Sequence, residues 1–155
     1  MSGWSRKWSV AMEDKVLGLL GLMRRANAIQ IGEDRSTDAV HAGKARLLLL
    51  SADVSDNARR RAERALEGRK ALCVPLRYSR DELADALGVS GCAMAAVTDL
   101  GFANALMKEL ASADPERYAE TAREIERRSD KATRRRKETA ARKGLKRNDK
   151  RRTEV

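Results

Sequence analysis

The chain contains one histidine, two cysteines, two prolines and few aromatic residues, namely two Trp, two Tyr and one Phe. Each scarcity removes a class of chemistry. His41 has no Cys or second His at ligand spacing, so it reads as a surface residue and no metal site is expected. P-loop, G-x-S-x-G and H-E-x-x-H patterns are absent, and no Gly-x-Gly element follows a candidate strand. Asp53 and Asp99 each close a candidate strand and can converge at one sheet edge, but turn and helix capping accounts for them better than acid and base work. We therefore expect neither an enzyme nor a cofactor. Cys73 and Cys92 lack C-x-x-C spacing and sit in apolar, strand-like segments, which reads as buried reduced thiols rather than a disulfide or redox pair. No apolar run reaches the length of a membrane span, and the N-terminus lacks the apolar stretch of a secretory signal. A cytoplasmic protein with an aliphatic core rich in Ala and Leu is expected.

Charge is plentiful and segregated. From Arg127 to Val155 there are fourteen Lys and Arg against four Asp and Glu, so the whole excess of +10 falls there and the preceding part is neutral. A segregated cationic tail implies a polyanionic partner, most simply nucleic acid, with an anionic membrane surface as the lesser alternative.

Taken in order, Met1 to Met12 carries Trp4 and Trp8 four apart, either a docked helix face or, as we read it, a poorly ordered leader. Val16, Leu19, Leu20 and Met23 set a helix over about Glu13–Ala26, and Gly18 and Gly21 within it suggest close packing against a neighbour. A short strand follows at Ala28–Ile31. The next helix leads from Ser36, Thr37 and Asp38 to Gly43, with Gly32 to Arg35 at its N-terminus. Leu47–Leu50 is a four-residue apolar run that suits a strand covered on both faces. A helix from Ser55 to Leu66 stops at Gly68 and carries Arg59, Arg60, Arg61 and Arg64 opposite small apolar residues, a face open to solvent or to an RNA backbone. Ala71–Val74 is another strand, closed by Pro75. Ser79 and Glu82 have capping-box spacing for a helix to Leu87 that ends at Gly88. Met94–Val97 is the last strand, and Leu100–Leu110 the last helix of the domain, with Phe102, Leu106 and Leu110 on one face. Helices alternate with strands, which predicts a three-layer α/β/α sandwich around a mixed sheet of about four strands. We place the domain at residues 13–112 and a basic extension at 113–155. Pro115 opens a helix in that extension, with Tyr118, Ala122 and Ile125 as a thin apolar stripe and Glu124 and Arg128 as an ion pair. Beyond about residue 129 only Leu145 offers a large apolar side chain, so disorder is expected there.

A succession of residues gives the chain a relationship. Leu22-Met23-Arg24-Arg25-Ala26-Asn27, Gly32 to Asp38, Ala42-Gly43-Lys44-Ala45, the Leu47–Asp53 strand, Val74-Pro75, Leu83 to Gly88, and Val97 to Phe102 together resemble the kink-turn-binding ribosomal protein superfamily of the L-seven-Ae and L-thirty-e type, especially its small bacterial members. The resemblance covers about residues 14–111. It implies the same sandwich fold and an RNA partner. It also implies two reading surfaces: a loop and helix start at Gly32, Glu33, Asp34, Arg35 and Asp38 for guanines, and a loop at Val89, Ser90, Gly91, Cys92 and Ala93 that packs on protruding bases. The sequence departs from the archaeal pattern, because Asp34, Arg35 and Asp38 stand where the usual Asn, Glu and Lys fall. An ionised Asp34 only accepts hydrogen bonds, whereas Arg35 can meet guanine O6 and N7 or grip phosphate; a plain helix cap is the other reading of Asp34.

The expected function is non-catalytic binding of structured or ribosomal RNA. Affinity would come from Arg59, Arg60 and Arg61 and from tail contacts to phosphate by Arg134, Arg135, Arg136, Lys137, Arg142, Lys143, Lys146 and Arg147. Three rivals stay open. The chain can be a protein-interaction module of the translation or transcription machinery, an appended targeting domain of an RNA-modifying enzyme, or a nucleoid-type DNA binder.

Overall fold

A computed structural model describes residues 14–153, and the leader with Trp4 and Trp8 lies outside the described residues. Six helices and four strands follow in the order α1 (Lys15–Arg25), β1 (Ile29–Ile31), α2 (Glu33–His41), β2 (Leu47–Leu50), α3 (Asp56–Leu66), β3 (Leu72–Pro75), α4 (Arg80–Leu87), β4 (Met94–Val97), α5 (Leu100–Ala113) and α6 (Pro115–Thr153). The alternation gives the expected α/β architecture, a mixed sheet of four strands with helices on both sides.

Local chemistry sets most element boundaries. Asp14, Ser55, Ser79 and Asp99 cap α1, α3, α4 and α5 by accepting from first-turn N–H groups, and Ser79 with Glu82 completes the capping box. Gly43, Gly68 and Gly88 take positive φ just after α2, α3 and α4, the left-handed stop that glycine adopts without strain. Gly21 makes the close approach expected of it, since a Cβ there would lie 3.4 Å from the Ala86 carbonyl of α4. Gly18 does not, because a Cβ there would meet nothing.

The strand order is β1-β4-β2-β3, with β4 antiparallel to β1 and β2, and β2 parallel to β3. The strand period of two divides the core. Leu47 and Leu49 of β2, with Ala95 and Val97 of β4, face the larger layer of α1, α4, α5 and the start of α6. Leu48 and Leu50, with Met94 and Ala96, face α2 and α3, where Ala58, Ala62 and Ala65 allow α3 to sit close. Because β4 runs against β2, Asp53 and Asp99 lie at opposite ends of the sheet, which removes the convergence considered above. Cys73 is exposed on the outer strand β3, contrary to the buried position expected, while Cys92 is buried.

The extension differs most from expectation. Tyr118 and Ile125 join the main core, at 3% and 0% exposure, so the first turns of α6 belong to the packed domain. The Tyr118 hydroxyl donates to the Pro75 carbonyl at 2.6 Å, and the Arg128 guanidinium donates to the Lys70 carbonyl at 2.8 Å. Helix does not end near residue 129 but continues to Thr153. The lack of apolar residues rules out a packed core there, yet Ala, Arg, Lys and Glu favour helix, and a docked first half removes the cost of starting one.

Candidate nucleic-acid interface

Four connections gather at one end of the sheet. β1, β2 and β3 finish there and antiparallel β4 begins there. Backbone bonds stitch the connections into a rim: Gly32 N–H to Met94 carbonyl at 2.9 Å, Ser51 N–H to Ala93 carbonyl at 2.9 Å, and Ala52 N–H to Tyr78 carbonyl at 2.7 Å. The Asp53 carboxylate then accepts from the Arg80 N–H at 2.9 Å, a bond that holds its pKa below the usual carboxylate range. Gly32–Arg35 and Val89–Ala93 are thus neighbours, although more than fifty positions separate them in sequence.

The α2 start is built differently from the other helix starts of the domain. Gly32 is its N-cap, with φ 103° and ψ 159°, and has no side chain to accept from the first turn. A residue with a Cβ would be strained at that φ, even though the space beside it is open. Glu33, Asp34 and Arg35 are the first helical turn rather than a loop before it, so Asp34 is not the cap. Ser36 and Thr37 are buried; the Ser36 hydroxyl donates to the Gln30 carbonyl at 3.3 Å and the Thr37 hydroxyl to the Glu33 carbonyl at 2.9 Å. The Ser36 bond ties the turn to β1 and the Thr37 bond stays within the helix, while Asp34, Arg35 and Asp38 are exposed.

Electrostatics here is local. Arg61 reaches across from α3 to Glu33 at 3.1 Å and Asp34 at 2.6 Å. With these groups roughly half exposed or more, the bridge contributes little to stability, but it offsets two negative charges beside Arg35. Arg59, Arg60 and Arg61 of α3 do not form one patch. Arg61 faces α2, whereas Arg59 lies on the side of α3 nearer β3, as two positions on a helix point to nearly opposite sides. Arg60 is exposed.

In the second loop Ser90 and Gly91 are exposed, while Val89 and Ala93 are partly covered. Cys92 is only 1% exposed, and its burial pushes the thiol pKa up. Its side chain belongs to the core, so the surface of this loop consists of Val89, Ser90, Gly91 and Ala93. The Arg24 guanidinium bonds to the Leu87 carbonyl beneath the loop. Arg80 is the rim residue that sequence reasoning missed, with its guanidinium set beside Gly91. The only signal for it was its place as first residue after a Ser cap, which marks a helix start and says nothing of a shared rim. The tail residues Arg134, Arg135, Arg136, Lys137, Arg142 and Lys143 are exposed on α6. The side chains of Lys146 and Arg147 lie outside the described ones. Among the described residues no group of His, Cys, Asp and Glu is arranged to hold a metal ion, and no helix is long and apolar enough to cross a membrane.

The fold is that of an α/β/α domain known from solved structures. The chain is similar to a protein of unknown function from Bacillus halodurans C, with TM-score 0.58 and 28% identity over 63% of this chain and 97% of the other. The fold is also that of the Giardia lamblia 15.5kD RNA binding protein, with TM-score 0.50 and 24% identity over 67% of this chain and 85% of the other. No protein-family model matches. A sequence relationship is more specific: the chain is 35% identical over 94 residues to the RNA-binding protein YlxQ of Bacillus subtilis (strain 168), a match spanning 59% of this chain and 91% of the relative. The chain belongs to the family of that protein.

Proposed function

We propose that this protein is a non-catalytic, cytoplasmic RNA-binding protein that recognises structured RNA of the kink-turn or ribosomal type through the rim. One observation carries the reading: the uncapped start of α2 and the Val89–Ala93 loop are held side by side by the Gly32–Met94 bond. The α2 start presents backbone N–H groups, which suit an anion or the acceptors on a base edge. Glu33, Asp34 and Asp38 outnumber Arg61 and Arg35 at that point, which disfavours phosphate, so base acceptors are the better fit, with Arg35 as the side chain that can meet guanine O6 and N7 together. Val89 and Ala93 offer partly apolar surface to an unstacked base. The names of two relatives support an RNA partner. The exposed cations of α6 add attraction without sequence preference.

The test compares full-length protein with Arg35→Ala for binding to a kink-turn RNA and a plain duplex across a salt series. The expected result is kink-turn affinity weakened by roughly tenfold, the size of one good base contact, with duplex affinity unchanged. If wild-type protein shows no preference for the kinked RNA and Arg35→Ala changes neither, the rim is not a reader and the protein-interaction reading takes its place.

A further inference from the structure

The direction of α6 separates its cations from the rim. Tyr118 bonds to Pro75, which pairs with Leu50 at the rim end of the sheet; Arg128 bonds to Lys70, just before Leu72, which pairs with Leu47 at the far end. The helix therefore runs down β3 from the rim and leaves the domain at the opposite end. From Arg128 to Thr153 it extends about 37 Å further at the helical rise per residue. Its cations go all round the helix, since Arg134 to Lys137 span a full turn, but one side carries two rows, Arg135 with Arg142 and Arg136 with Lys143. Arg135, Arg136, Thr139, Ala140 and Lys143 border one shallow trough on the helix surface, and Arg142 follows Arg135 by two turns on the same side. All four of these cations are exposed.

We infer that this face of α6 is a second, separate binding site, for the phosphate backbone of a nucleic-acid helix, and that the protein can hold two nucleic-acid segments at once. The site's ligand follows from charge: the whole excess of +10 lies from Arg127 onward, and the phosphate backbone of a nucleic-acid helix is a repeating polyanion that such a row of cations neutralises. Its independence follows from distance. Arg135 lies about 25 Å down the helix from Tyr118, more than two screening lengths at physiological salt, so a segment at the rim neither repels nor neutralises one on the arm. Because the arm is already helical and continues a docked segment, it is aimed before it binds. The two-segment part of the inference rests on the rim reading above; the arm site does not.

The experiment immobilises a short kink-turn RNA, loads full-length protein at equal amount, washes, and adds a labelled plain RNA duplex or a DNA duplex of the same length. Binding of each duplex to free protein is measured alongside. The variant combines Arg135→Glu, Arg136→Glu, Arg142→Glu and Lys143→Glu, which keeps good helix formers on an exposed face. The expected result is duplex capture on the loaded RNA, lost in the variant at matched amounts of retained protein, while the variant binds the kink-turn RNA more weakly by the share α6 contributes and still prefers it to the plain duplex. Free-protein affinity for duplex should fall by roughly tenfold or more in the variant. Capture of RNA duplex alone or of both duplexes assigns the source of the phosphate ladder, and either outcome supports the site. Retention of protein without duplex capture overturns the two-segment inference and leaves the rim reading intact. If the immobilised RNA retains no protein, the rim reading fails, and the free-protein measurement decides the arm: an unchanged duplex affinity in the variant overturns it.

Discussion

The two halves of α6 share one continuous helix and differ in what surrounds it. In the first half Tyr118 and Ile125 are buried, Arg77 pairs with Asp114 at 2.6 Å just before it, and Arg128 ties its end to Lys70. In the second half the described side chains are nearly all exposed, and Leu145 stands 64% exposed with nothing to cover it. The difference separates two questions that sequence reading tends to merge. Whether a segment forms helix depends on propensity and on a nucleus; whether it is part of a domain depends on side chains to bury. The second half inherits its nucleus from the first and has nothing to bury.

The sharpest way to break that comparison is Ile125→Ala. Removing a fully buried branched side chain should cost about 3 kcal/mol of unfolding free energy, read as a lower denaturant midpoint of the whole domain. An Ala substitution at Leu145 serves as the internal contrast and should leave the midpoint where it is. A loss at Ile125 no larger than that contrast would show that the docked half is an appendage.

A smaller effect isolates one bond. Tyr118→Phe keeps the buried ring and removes the donor to Pro75, so stability should fall by about 1 kcal/mol, with little change in helix content by circular dichroism. A collapse of helicity would mean that this hydroxyl, and not the core contact, anchors the helix.

The smallest expected effect lies in acid. Glu124 is bonded to Arg127 and Arg128, and these two guanidiniums hold its pKa down to about 2 from the ordinary 4.5. A lowered folded pKa means that the stabilisation is fully present above 4.5 and fades as pH falls toward 2. The groups are partly exposed, so the change is modest and high salt should flatten it. Glu124→Gln should lose that portion of the pH dependence; an unchanged acid profile would show that the pair contributes nothing in solution.

Much of the fold was legible because its signals are local. Ser55, Ser79 with Glu82, and Asp99 announce helix starts through their own side chains, and Leu47–Leu50 and Met94–Val97 are strands by their apolar runs. What was not legible depends on strand direction and on neighbours distant in sequence. Asp53 and Asp99 looked alike until β4 proved antiparallel to β2. Cys73 and Cys92 have similar apolar flanks, but one sits on the outer strand and the other inside a loop that folds inward. Tyr118 and Ile125 looked like a thin stripe on a marginal helix because the sequence does not display the core that receives them. At the rim, both loops were found in the sequence through the family resemblance. Their stitching, the Arg61 bridge and the place of Arg80 came only with the packing of α3 and α4 against the sheet end.

The two bonds from α6 to Pro75 and Lys70 bear also on how the chain reaches its folded state. β3 borders the sheet, and a bare border strand offers unpaired backbone groups to any other extended chain. Tyr118 and Arg128 occupy carbonyls at both ends of that strand, but they are made well after it during synthesis. A chain that ends before residue 118 lacks both donors, so its border strand keeps two more free carbonyls than the whole chain does. The helix that carries the cations thus also supplies two of the donors that quiet the border strand.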